Sequence, residues 1–176
     1  MQRCVSSGTC STGALALILP PVSLLVEDRA RSEQPDTFCY TSLISACTPS
    51  AQWQLATFLH EEMRELTDVI AFNATLGVCR EASRWLEAQR IFSDLKNKDF
   101  SPTLPTFKAV IGACAYAHRW SDALDHLQEL RKMACSFDDL IVQYGIVSKA
   151  CAEAGRKEIE EVLLREVKIH NSSSSA

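Results

Sequence analysis

Four segments of the chain end on cysteine and lie over one another without a gap. They are TFCYTSLISAC (Thr37–Cys47), VIAFNATLGVC (Val69–Cys79), LPTFKAVIGAC (Leu104–Cys114) and IVQYGIVSKAC (Ile141–Cys151). The cysteines fall 32, 35 and 37 residues apart. Each segment has an aromatic at its fourth place: Tyr40, Phe72, Phe107 and Tyr144. Apolar residues follow at helical spacing, so that Tyr40, Leu43, Ile44 and Cys47 share one face of a helix.

A polar break follows each cysteine (TPSAQ, REASR, AYAHR, AEAGR), and a second helical segment begins after it. Trp53, Trp85 and Trp120 stand six residues past the preceding cysteine, and Ala56, Ala88 and Ala123 stand three residues further on. Alanine at a fixed inward place lets two helices approach closely, while the tryptophan can pack against the neighbouring unit. The fourth copy keeps its cysteine and a turn glycine, Gly155, but has Lys157 in place of Trp and Glu160 in place of Ala. Terminal units depart from a pattern because one face has no neighbour.

Repetition at this period is the mark of stacked supersecondary units. The expected fold is all-α: an α-solenoid, a right-handed stack of antiparallel helical hairpins with repeats of about 35 residues. Three units are expected at 37–68, 69–103 and 104–138, with a degenerate fourth at 139–168. A leader or irregular cap (1–36) would precede them and a disordered Ser-rich tail (169–176) would follow.

The 176 residues suit one ordinary domain or a short array, and a hydrophobic content of 47% fits a folded chain. Eighteen basic against 22 acidic residues leave a net charge of -4, which points to neither nucleic acid nor membrane; a local patch matters more than the sum. The eight cysteines include no CxxC pair, and the four in register are expected to be reduced and packed rather than bridged or zinc-bound. Met1–Val26 carries one charge, Arg3, and the apolar run ALALILPPVSLLV. That run is short and broken by Pro20 and Pro21, so no membrane span is expected. It reads either as an organelle-targeting or secretory leader or as a terminal cap on the first hairpin.

Catalytic constellations do not assemble. Cys114 and His118 are four apart, but the acid partner of a nucleophilic triad is not evident, and Cys114 already has a packing role. HEEM (His60–Met63) starts like a zinc-protease helix but lacks the second histidine. Nothing in the sequence resembles a phosphate loop, a nucleophile elbow or the combined His-x-Glu and Cys-x-x-Cys pairs of zinc deaminases. The expectation is a protein with no enzymatic activity, metal, cofactor or small-molecule substrate.

Two families use hairpins of this length. Tetratricopeptide units carry an early Trp and a Leu-Gly pair in the first helix, whereas here Trp opens the second. The chain instead resembles the pentatricopeptide repeat family, whose units open on Pro-Asp, an aromatic and Asn-Thr-Leu-Ile, and close on Phe-x-x-Met. QPDTFCYTSLISAC and ATFLHEEMRE carry that phrasing, as do VIAFNATL and AQRIFSDL. The chain is similar to short, degenerate members of algal and protist type.

The resemblance implies binding of single-stranded RNA, one base per unit, on a concave face lined by first helices. It also implies that the fifth and last residues of a unit meet the base edge, and that the second packs between bases. In unit one these are Thr41 and Asp68 with Phe38 as wedge, a pairing the family uses for guanine. In unit two they are Asn73 and Thr103 with Ile70, which leans toward a pyrimidine. Unit three offers Lys108 with Asp138 and Pro105 as wedge; Lys108 either grips phosphate or solvates an unused surface. Unit four has Gly145, which carries no group to read a base.

Arg80, Arg84, Lys108, Arg119 and Arg156 are the cations available for the RNA backbone, against an acidic first unit in which Glu61, Glu62, Glu65 and Asp68 face one base, Arg64. Arg84, Arg119 and Arg156 recur at equivalent places and form either a basic row or a solvated edge. The resulting expectation is weak RNA binding by an adaptor in organellar (mitochondrial or plastid) RNA processing or expression, with a protein partner supplying any chemistry. The alternative is a protein-binding helical scaffold.

Overall fold

The structure, a computed structural model, describes residues 36–63, 66–133 and 137–173. The expected leader lies outside the described residues except for Asp36. Eight helices and no strand occur among the described residues: α1 (Thr37–Ala46), α2 (Trp53–Met63), α3 (Val69–Glu81), α4 (Trp85–Asn97), α5 (Leu104–Tyr116), α6 (Trp120–Arg131), α7 (Phe137–Glu153) and α8 (Lys157–Ser173). The first helix of each hairpin, α1, α3, α5 and α7, packs against the next in chain order and forms one layer. Each of α2, α4 and α6 packs on the first helix before it and the one after it, and α8 closes on α7. The fold is an all-α helical-hairpin repeat.

Local chemistry sets where the helices start. Asp36 accepts a hydrogen bond from the Cys39 amide at 2.9 Å, and Asp68 accepts one from the Ala71 amide at 2.7 Å, which satisfies amides that a helix start leaves without partners. Thr103 does the equivalent for α5, its own amide donating to the Thr106 hydroxyl at 3.0 Å. Pro105 sits in that first turn, where a missing N–H costs nothing.

The turn between the paired helices is the same in every hairpin. The residue four past the cysteine is left-handed each time: Ala51 (φ 49°), Ser83 (φ 53°), His118 (φ 58°) and Gly155 (φ 72°). The cysteine carbonyl then accepts from the amide five residues on: Gln52 at 3.2 Å, Arg84 and Arg119 at 2.9 Å, and Arg156 at 2.8 Å. These are the six-to-one bonds of a Schellman ending, which turns the chain sharply into the second helix. Only Gly155 adopts this conformation without a Cβ penalty. Exposed Ser83 is therefore expected to stabilise the protein by about 0.5–1 kcal/mol when changed to Gly, read as a shift in the urea midpoint at constant slope. A loss of stability would show that Ser83 holds the turn in some other way.

The inward faces are those of the repeated pattern. Cys47, Cys79, Cys114 and Cys151 are buried, and Ala56, Ala88 and Ala123 have no exposed surface. Burial pushes the Cys79 and Cys114 thiols up to about 12, so neither supplies a thiolate near neutrality. α3 is shared between two core clusters. Ala71 and Val78 face the first hairpin, while Phe72, Leu76 and Cys79 join a cluster that continues to Leu163.

Two boundaries differ from expectation. α1, α3 and α5 each begin three residues before their aromatic, but α7 begins at Phe137, seven before Tyr144. Asp138 was expected to close the third unit and instead stands in the first turn of α7. The stretch FDDLIVQY contains no Pro or Gly to delay the helix, and acids are favoured in a first turn. At the other end, α8 continues past Lys168 to Ser173, through residues that had been assigned to the tail and that likewise contain no helix breaker.

Candidate nucleic-acid interface

The buried aromatics fix which way the first helices point the rest of their residues. Residues two apart on a helix project roughly 200° from each other, so the residue two before each buried aromatic must face outward. Phe38, Ile70 and Val142 are 76%, 67% and 58% exposed, and Pro105 is exposed as well. One apolar residue per hairpin thus stands on the open side of the first-helix layer. Val142 was not singled out from the sequence, although its place two before Tyr144 carried the signal.

The residue after each aromatic lies about a quarter-turn round and is half-buried at Thr41, Asn73 and Lys108; at Gly145 it is exposed. Thr41 Oγ1 donates to the Thr37 carbonyl at 2.9 Å and the Phe38 carbonyl at 3.1 Å, which leaves its oxygen as an acceptor. Asp68 Oδ1 is engaged in capping α3, and the Thr41 hydroxyl donates within its own helix rather than to Asp68.

Asn73 and Thr103, in contrast, are brought together. Asn73 Nδ2 donates to Thr103 Oγ1 at 3.3 Å, and Asn73 Oδ1 accepts from Thr106 Oγ1 at 2.6 Å. The two threonine hydroxyls lie 2.9 Å apart. The network links α3 to the start of α5. It holds the Asn73 amide in one orientation, with its second N–H and the second lone pair of Oδ1 remaining for a ligand.

Lys108 does not stand alone: its Nζ lies 3.8 Å from Asp139 Oδ1 on α7. The early start of α7 puts Asp139 in this place; the side chain of Asp138 lies outside the described residues.

The row of equivalent arginines is neither a free basic edge nor merely solvated. Arg84 lies over the ring of Trp53 (4.1 Å to the centroid), Arg119 over Trp85 (4.4 Å) and Arg156 over Trp120 (5.1 Å). Each arginine follows the left-handed turn residue of one hairpin, and each tryptophan opens the second helix of the hairpin before. Two of the three are also held by acids of their own second helix, Arg84 by Glu87 at 2.9 Å and Arg119 by Asp122 at 2.8 Å. These contacts fasten neighbouring hairpins by cation–π attraction. Arg80 is paired with Glu81 at 2.7 Å, and its stem crosses Gly112, where a Cβ would stand 2.6 Å from Arg80 Cδ.

Among the described residues, no group of His, Cys, Asp and Glu could hold a metal ion, and no helix is long and apolar enough to cross a membrane.

A repeat fold of this kind, with an outward apolar residue in each first helix, defines a class of helical-hairpin arrays. The sequence profile of the pentatricopeptide repeat domain matches residues 66–117, and that of the PPR repeat matches residues 38–67. Residues 38–117 carry pentatricopeptide repeats.

Among solved structures, it is similar to the pentatricopeptide repeat protein PPR10 from maize, with a TM-score of 0.65 and 22% identity over 94% of this chain and 25% of that one. It is also similar to a cysteine-to-serine variant of PPR10 in complex with an 18-nt PSAJ RNA element, with a TM-score of 0.66 and 19% identity over 85% of this chain and 22% of that one. The chain therefore spans about a quarter of the length of these proteins. No curated protein sequence matches it significantly.

Proposed function

We propose that the protein binds single-stranded RNA along its first-helix layer and serves as an adaptor in organellar RNA processing or expression, with a protein partner supplying any chemistry. The observation that carries this reading is the regular outward row of Phe38, Ile70, Pro105 and Val142, each beside a fifth-place residue of its hairpin. Apolar side chains at one per hairpin suit the faces of successive bases, and polar groups beside them suit base edges. The relative PPR10, solved with a bound RNA element, supports the same use of the fold.

Edge reading falls to Thr41 with Asp68, for guanine, and to Asn73 with Thr103, for a pyrimidine. Lys108, which meets Asp139 rather than Asp138, offers a cation to the RNA backbone and no edge-reading pair. Binding is expected to be weak, because two edge-reading pairs give little discrimination and most arginines are already held by tryptophans or acids. The organelle, mitochondrion or plastid, follows from what the family resemblance implies and from the leader-like composition of residues 1–26.

Titration with mixed-sequence RNA at two salt concentrations tests the reading. Saturable binding at low salt is expected, with a shallow salt slope because few cations remain for phosphate. The paired substitutions Phe38→Ala and Ile70→Ala are expected to weaken it about tenfold or more, without lowering the melting temperature. No binding at low salt, together with recovery of a stable protein partner, would leave the scaffold alternative in possession.

A further inference from the structure

The joints between hairpins repeat place by place along the second helices. Seven residues past the start of each, the side chain faces the next hairpin: His60 lies 4.6 Å from the ring of Phe72, Phe92 lies 5.4 Å from that of Phe107, and Leu127 is buried. Eleven residues past the start, α4 and α6 carry a cation that reaches the acid nine places along the following second helix. Lys96 meets Glu129 at 2.5 Å, and Arg131 meets Glu166 at 3.2 Å.

α8 carries the same outgoing half, and among the described residues no further hairpin packs on it. Leu164, at the place of His60, Phe92 and Leu127, is 41% exposed, and Lys168, at the place of Lys96 and Arg131, is exposed too. The first hairpin carries the receiving half. Tyr40 stands at the place of Phe72 and Phe107, and exposed Glu62 at that of Glu129 and Glu166. Cys39 and Ala46 hold the places of Ala71 and Val78, which face the preceding hairpin. Phe58, 56% exposed, holds that of Arg90, which reaches back to Glu61 at 3.0 Å. On α8 the place of Glu61 is taken by Arg165.

We propose that copies of this chain associate end to end, the last hairpin of one against the first hairpin of the next. Leu164 then packs beside Tyr40 and the small residues around it, Lys168 pairs with Glu62, and the Arg165 guanidinium lies over Phe58. A second copy suits this face because each outgoing group has its match on the same chain, at a place that already meets it in the internal joints. The two faces differ, so the contact is heterologous, and each copy that adds leaves an end for another.

This joint is weaker than those within the chain. Gln52 and Lys157 stand where an arginine and a tryptophan would make the cation–π contact, and half-buried Glu160 replaces the alanine of the other second helices. Association is therefore reversible and dependent on concentration.

Sedimentation velocity of the full chain, over a concentration series up to about 1 mM, tests the proposal. At low salt the wild type is expected to pass from monomer to a ladder of larger species, and high salt should drive it back. Lys168→Glu and Glu62→Lys each set like charges against one another at the joint and are expected to weaken association about tenfold or more. Both positions are exposed, and unfolding midpoints equal to that of the wild type will show that neither variant disturbs the fold. An equimolar mixture of the two should regain wild-type association, because every junction of an alternating array again joins a cation to an acid. A wild type that stays monomeric throughout, a closed dimer that grows no further, or variants that associate as the wild type does would each overturn the end-to-end joint. So would failure of the mixture to recover. RNA does not enter the measurement, so none of these results bears on the RNA reading.

Discussion

Phe72→Ala is expected to lower the free energy of unfolding by about 3–5 kcal/mol, whereas Ile70→Ala, two residues earlier on the same helix, should change it by no more than about 0.5 kcal/mol. Phe72 has no exposed surface, and its ring meets His60 at 4.6 Å and Phe100 at 5.9 Å between centroids. It links α2, α3 and the chain leading into α5, so truncation opens a cavity that rigid helices on three sides cannot close. Ile70 points out of the array and loses only solvent-facing contacts. Urea unfolding of the full chain measures both, and RNA titration of the Ile70 variant separates interface from scaffold. Similar losses at the two positions would contradict the orientation of α3.

Acid is expected to destabilise the protein before most carboxylates are reached. His60 is largely buried, with Nδ1 3.2 Å from Thr75 Oγ1, and its pKa falls to about 4. Burial is the main cause and Lys98 adds to it, while Asp94 and Glu61 pull the other way. His126, packed on Phe92 at 5.1 Å, is lowered chiefly by burial too. An unfolded chain takes up the His60 proton near pH 6.5, and the folded one only near pH 4.

Stability is therefore fully present above pH 6.5 and declines as the pH falls toward 4, by on the order of 3 kcal/mol for His60 alone as an upper bound. Asp36 and Glu87 are held below the ordinary carboxylate range, by hydrogen bonds with Cys39 and Arg84 respectively, so they contribute at the acid end of this window and below it. Urea midpoints measured from about pH 7.5 down to 4 should show the decline, and His60→Phe should flatten it. Thr75 keeps its bond to the Ala71 carbonyl at 2.8 Å in that variant. An equally steep decline in His60→Phe would assign the effect to other groups.

The periodic positions were legible in the sequence because each does the same job in each hairpin. Cysteine, aromatic and alanine recur where helices meet, and Trp53, Trp85 and Trp120 mark the first residue of a second helix. Conformation at the turns was clearly legible only at Gly155, since Ala51 and Ser83 carry no signal for a left-handed backbone and His118 only a weak one. The arginine–tryptophan contacts were hidden for another reason. Each joins residues roughly 30 or more apart in different hairpins, and adjacency there depends on how one hairpin is set against the next.

Register explains the remaining difference. Counting from a fixed period paired Lys108 with Asp138, but the extra turn at the start of α7 brings Asp139 to it instead. The Asn73–Thr103 pair was reachable from the family resemblance, whereas the third member, Thr106, was not, because its role depends on the capping geometry of α5.

The arginine–tryptophan contacts also act as polarised connectors between modules. A connection needs a tryptophan on the earlier hairpin and an arginine on the later one. The two middle hairpins carry both, as Arg84 with Trp85 and Arg119 with Trp120. The first has Gln52 where the arginine would stand, and the fourth has Lys157 where the tryptophan would stand. Shuffling the four can therefore preserve all three connections only if the hairpin of Gln52 leads and that of Lys157 closes, while the two between them are interchangeable. Any recombined array has to be cut so that each arginine still meets a tryptophan across its new junction.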